Sequence, residues 1–169
     1  MKLIFFRHGQ AVDKKNGQSD LDDAARELTR EGTKETKTVV KTLKPLFKDI
    51  DVIYSSPMVR AVETAQIISK YFPKKKFELM ASLDSSVASE AFLADLSMIK
   101  ADGCYCFVGH EPHLTTSISK ILKEQSSTIE LDKSGMIMLE GKNLNDLKVS
   151  LIISPALLEM INSLEFRVR

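Results

Sequence analysis

Six short apolar runs of strand length set the frame of this chain: KLIFF (2–6), DVIYSS (51–56), KFELM (76–80), CYCFVG (104–109), MIMLEG (136–141) and LKVSLII (147–153). Between them the apolar residues fall at helical intervals instead: Val39, Val40, Leu43 and Phe47; Ala61, Ala65, Ile68 and Phe72; Phe92, Leu96 and Ile99; Leu114, Ile118, Ile121 and Leu122. A chain that alternates strand and helix in this way buries both kinds of face as an α/β three-layer sandwich. The expected architecture is a mostly parallel central sheet of about six strands with helices on both faces. GKNLND, which joins the last two runs, is too short for a crossover helix, so these strands should form one antiparallel edge pair. The first long helix is expected near Leu28, with Thr29 as its cap and Pro45 ending or kinking it. No repeat, low-complexity tract or linker breaks residues 1–169, which read as a single domain.

Charge and hydropathy narrow the function classes. Lysine and arginine total 24 against 23 acidic residues, and the one dense basic run, Lys74 to Lys76, reads as a solvated loop, which argues against nucleic-acid binding. No window approaches the roughly 18 unbroken apolar residues of a membrane span. Leu3 to Phe6 is much shorter than the core of an export signal and is closed by Arg7, so a cytoplasmic monomer is the default expectation. Cys104 and Cys106 share one face of an extended strand, where they cannot easily pair, and read as buried free thiols.

Chemistry gathers where strands end. In parallel sheets ligands bind beyond the carboxyl ends of the strands. KLIFF runs into Arg7-His8-Gly9, DVIYSS is followed by Pro57-Met58-Val59-Arg60, and CYCFVG by His110-Glu111-Pro112-His113. Ser55 or Ser56 is expected to cap the helix after the second run, with Pro57 at its first position. Arg60 then falls in the first turn, where the helix dipole disfavours a cation unless an anion sits there as well. Two arginines and two histidines at one sheet edge suit a doubly negative group with several oxygens, such as phosphate. Cationic neighbours should keep His8 neutral, and a neutral imidazole facing phosphorus is a nucleophile. His113, read alone, is a loop or core residue.

RHG after the first strand, SSPMVRAVETA after the second and VGHEPHL after a later one resemble the histidine phosphatase superfamily, which also contains phosphoglycerate mutases. Within it the chain is most similar to the small SixA-type phosphohistidine phosphatases. DDAARELTREG (22–32) resembles the element that opens their first long helix, and SGMIML (134–139) with IISPALL (152–158) resembles their closing strand pair. The resemblance implies that His8 becomes phosphorylated, its ring held by the backbone of Gly9. It also implies that Arg7, Arg60 and His110 hold the phosphoryl oxygens, and that Gln10 and Arg26 border the pocket.

Larger relatives carry a glutamate acid in a segment that reads here KFELMASLDSSVASEAFLADL, where only Glu78, Asp84 and Glu90 are early acids. An alcohol leaving group needs a strong acid, whereas imidazole, whose conjugate acid has a pKa near 6.5, does not. The expectation is therefore a metal-independent phosphatase without cofactor, acting on a histidine-phosphorylated partner protein through phospho-His8. The rivals are a small-molecule phosphomonoesterase or mutase with Asp84 or Glu90 as the acid, and a non-catalytic phosphoprotein-binding module.

Overall fold

Strand β1 (Lys2–Arg7) runs through the middle of the molecule, and its four central residues, Leu3, Ile4, Phe5 and Phe6, are fully buried. A computed structural model describes residues 1–14, 17, 19–124 and 129–165. After β1 come α1 (Asp20–Ala24), α2 (Arg30–Thr42), α3 (Lys44–Phe47), β2 (Val52–Ser55), α4 (Val59–Tyr71) and β3 (Lys76–Leu79). They are followed by α5 (Ser89–Ser97), β4 (Cys104–Gly109), α6 (His113–Leu122), β5 (Met136–Glu140), β6 (Lys148–Ile153) and α7 (Pro155–Glu165). The six strands form one sheet in the order β3-β2-β4-β1-β5-β6. β3, β2, β4 and β1 pair in parallel, and β5 pairs antiparallel with β1 on one side and β6 on the other.

Alternation along β1 explains the layers. Ile4 and Phe6 point into a core that also takes Val39 and Val40 of α2, Phe47 of α3, Ala61, Ala65 and Ile68 of α4, and Leu158 of α7. Leu3 and Phe5 point the other way, into a core built with Phe92 and Leu96 of α5 and Leu114 and Ile118 of α6. The two faces thus have separate apolar cores, as a period of two in a doubly covered strand requires. Phe5 meets Phe107 with ring centroids 5.5 Å apart and Phe92 edge-on at 6.2 Å. Each such buried ring contributes about 1.5–3 kcal/mol relative to an exposed one.

The order of the strands decides where a ligand can go. The chain leaves β1, passes two positions along to β2 and outward to β3, then returns to lay β4 between β2 and β1. The carboxyl ends of β1, β2 and β4 consequently lie side by side, with Arg7 opposite Gly109 and Ser55 opposite Val108.

Two local readings need correction. Residues 155–158 open helix α7 rather than continuing a strand, because Pro155 takes the first helical position and Leu158 buries against the sheet. Helix α4 starts at Val59 with Met58 as its cap, so Pro57 precedes the helix. The Ser56 hydroxyl still accepts the Met58 N–H, at 3.3 Å, across this turn. Part of the polar stretch 12–23 forms α1, closed by a reciprocal Ser19–Asp22 capping box; Lys15, Asn16 and Gln18 lie outside the described residues. Thr29, as anticipated, caps α2 by accepting the Gly32 N–H at 2.9 Å.

Candidate active site

His8 leaves the end of β1 and is 8% exposed. Its Nδ1 lies 2.7 Å from the Gly9 carbonyl oxygen, which can only accept, so the proton sits on Nδ1. Arg60 Nε–H points at His8 Nε2 from 3.3 Å, and a guanidinium can only donate. The two contacts together require a neutral ring with its lone pair on Nε2. Burial, followed by the positive charges of Arg60, Arg7 and Arg26, lowers the His8 pKa to about 4 against the opposing pull of the Gly9 carbonyl.

The loop that holds this ring is tightly packed. The Gly9 N–H donates to Thr64 Oγ1 at 3.1 Å, and a Cβ on Gly9 would fall 2.4 Å from Thr36 Oγ1. Glycine is the residue that lets the backbone approach α2 so closely.

His110, beyond β4, is 2% exposed and lies with its ring centroid 4.9 Å from that of His8. Its Nε2 is 2.8 Å from Ser56 Oγ, and its Nδ1 has no hydrogen-bond partner among the described residues. Burial, then the neighbouring His8 and Arg60, pushes its pKa down to about 2. Arg7 Nη1 donates to the Leu131 carbonyl and stands 4.0 Å from the exposed Glu130. Its buried Nε, like His110 Nδ1, is without a partner among the described residues. Unpaired buried polar atoms are costly in a protein that does not use them.

Arg60, the second residue of α4, is 4% exposed. Its Nη1 donates to the Asp23 backbone carbonyl at 2.7 Å, and its Nη2 lies 3.3 Å from Asp23 Oδ2. Arg26 grips the same carboxylate, with Nε and Nη2 each 2.9 Å from Oδ1, while its Nη1 donates to the Val12 carbonyl at 2.7 Å. The anion that the helix dipole demands beside Arg60 is thus an internal carboxylate, which sequence reasoning had not singled out. Gln10 takes part through its backbone: its carbonyl accepts the Thr29 N–H at 2.9 Å, and its side chain is exposed. With Arg7, Glu35, Asp132, Lys133 and Pro155 it lines a cleft of about 430 Å³ beside the site. A separate cavity of about 680 Å³ lies elsewhere, between Tyr54, Met98 and Tyr105.

The remaining candidates are placed differently. His113 is the first residue of α6, buried edge-on to Phe92 at 6.1 Å, and burial lowers its pKa. Glu90 is exposed and paired with Lys120, whose hydrogen bond holds its carboxyl below the usual range. Asp84 Oδ1 accepts from the Ser86 N–H at 2.9 Å and its hydroxyl at 2.8 Å. In all, the site joins a lone-pair nitrogen to guanidinium and imidazole donors, which is what in-line transfer of a phosphoryl group needs.

Residues 3–84 match the family model of the histidine phosphatase superfamily (branch 1). An uncharacterized protein of Picosynechococcus sp. is 34% identical over 144 residues, covering 83% of this chain and 86% of that protein. The protein histidine phosphatase SixA complexed with tungstate superposes with a TM-score of 0.74 at 17% identity, over 94% of this chain and 99% of the other. A phosphoserine phosphatase from Entamoeba histolytica in complex with 3-phosphoglyceric acid gives 0.68 at 20% identity, over 90% and 96%. At such identities the structural matches bear on the fold.

Proposed function

Because the chain belongs to the histidine phosphatase superfamily, we propose that it is a metal-independent phosphatase that removes phosphate from a phosphohistidine of a partner protein. The observation that carries this reading is the His8 ring: Nδ1 is tied to Gly9, and the Nε2 lone pair is held beside Arg60 Nε. Nε2 attacks phosphorus in line, the bond from phosphorus to the substrate nitrogen breaks, and the departing imidazole keeps that electron pair and takes a proton from solvent. Water then attacks phospho-His8, the new bond to Nε2 breaks with its electron pair returning to the ring, and inorganic phosphate leaves. Arg7, Arg60 and His110 bind the equatorial oxygens, and Gly9, Gln10 and Arg26 shape the pocket around them.

The leaving group supports phosphohistidine over an alcohol ester. Imidazole departs readily near neutral pH, and of the two carboxylates the monoesterase reading relied on, Glu90 is engaged by Lys120 and Asp84 by Ser86. This reading places the chain in signalling by histidine phosphotransfer, with a cytoplasmic monomer as the working assumption. A second reading, hydrolysis of small phosphomonoesters, is favoured by Glu111. Its Oε1 is buried without a partner among the described residues, and burial raises its pKa, as suits a proton donor.

The deciding test measures phosphate release, in excess chelator, from a histidine-phosphorylated phosphotransfer domain and in parallel from a sugar phosphate. Faster release from the phosphohistidine, abolished in His8→Ala, supports the first reading. Faster release from the monoester, lost in Glu111→Gln, supports the second.

A further inference from the structure

The Asp23 carboxylate is the one element of the site that a phosphate-binding pocket does not obviously need. It lies on two of the guanidiniums, Arg60 and Arg26, and one of them also holds the nucleophile. Short helix α1 delivers it, and Arg60 Nη1 clamps the backbone of the same residue, so the carboxylate is fixed from both ends. Burial alone would raise its pKa, but the charges of Arg60 and Arg26 outweigh burial and keep it ionised.

We infer that Asp23 is a specificity-determining residue: it sets the charge of the pocket to accept a dianionic phosphoryl group on a neutral or cationic leaving group. A leaving group that carries a further negative charge is refused. The proposal rests on the phosphatase reading and deepens it by naming the substrate class. Arg7, Arg26 and Arg60 outnumber the Asp23 and Glu130 carboxylates beside them, and this excess of positive charge favours a phosphoryl anion. Lys14, another cation of the same stretch, faces Asp20 at 3.9 Å. A carboxylate or second phosphate on the side of Arg60 and Arg26 would meet the Asp23 carboxylate, which already engages both guanidiniums, and like charges at close range lower affinity steeply. The imidazole of phosphohistidine, protonated as it leaves, brings an N–H of the opposite sign.

The test uses a matched pair of esters, glycerol 3-phosphate and 3-phosphoglycerate, which differ by an alcohol against a carboxylate, together with a histidine-phosphorylated phosphotransfer domain. For wild type, Asp23→Asn and Asp23→Glu, kcat and KM are measured, or Ki where turnover of an ester is slow. Wild type should bind glycerol 3-phosphate roughly tenfold better than 3-phosphoglycerate. Asp23→Asn should bring that ratio close to one while lowering kcat/KM on the phosphohistidine, and Asp23→Glu should restore the wild-type order. A purely structural role would move all three ligands by a common factor; that result, or an unchanged ratio in Asp23→Asn, overturns the proposal. Wild type that prefers glycerol 3-phosphate to the phosphohistidine would sink the phosphohistidine reading, yet the ester ratio would still report on Asp23.

Discussion

Thr64 Oγ1 accepts the Gly9 N–H at 3.1 Å and donates its own hydrogen to the Arg60 carbonyl at 2.8 Å. The loop that carries His8 therefore hangs on the helix that carries Arg60, and one hydroxyl keeps nucleophile and guanidinium in register. Replacing Thr64 by valine keeps the volume but strands a buried N–H, which should cost about 1–3 kcal/mol. Turnover should fall roughly tenfold in kcat with a smaller change in KM, since the reacting groups lose alignment. Denaturant unfolding and steady-state kinetics on the same variant check both parts, and an unaltered kcat would show that Gly9 holds His8 without the threonine.

The histidines carry a pH prediction. His8 and His110 have folded pKa values of about 4 and about 2, below the usual 6.5 of the unfolded chain. Below pH 6.5 the unfolded state takes up protons that the folded state refuses, so stability is full above that pH and declines as pH falls towards the folded values. NMR titration of the imidazoles should give a His8 midpoint near 4, leaving Nε2 unprotonated throughout the neutral range. A midpoint near 6.5 would show that burial and the neighbouring guanidiniums do not hold the ring neutral.

A methyl group at position 32 tests how the first long helix meets the site. A Cβ on Gly32 would fall 2.1 Å from the Gln10 carbonyl oxygen, a backbone atom with little room to move. Gly32→Ala should destabilise the fold by about 3 kcal/mol and displace the loop after His8. Thermal melting with a tungstate or phosphate titration would show both losses; a variant that melts like wild type would mean that α2 and the loop part easily.

Glu90 offers a control. Its exposed pair with Lys120 is a surface contact of the kind that contributes little. Glu90→Gln should keep kcat/KM within about twofold of wild type on either substrate class, and a large loss of rate would return it to the role of acid.

Much of this architecture was legible before any coordinate. Each of the six apolar runs became a strand, because a short run rich in apolar and β-branched residues and bounded by turn residues leaves a strong local signal, even at the sheet edges, where β3 and β6 stay largely uncovered. IISPALL misled for the same reason: a short apolar run does not by itself distinguish strand from helix, and tertiary packing of Leu158 settled it. The residues that end strands, Arg7, His8 and His110, stood out because the carboxyl edge of a parallel sheet can be located from the strands themselves.

The parts that Asp23, Thr64 and Ser56 play in the site did not stand out, and the distances along the chain say why. Asp23 meets Arg60 across 37 residues, Thr64 meets Gly9 across 55 and Ser56 meets His110 across 54. A polar side chain at such a position has the same local pattern whether it faces water or a buried partner. The sequence by itself determined the strands, the helices between them and the cluster of bases at one sheet edge, all of which follow from periodicity and local caps. Only the tertiary structure decided which carboxylate neutralises Arg60 and which hydroxyl holds Gly9, because those partners lie 37 and 55 residues apart along the chain and meet only once it has folded.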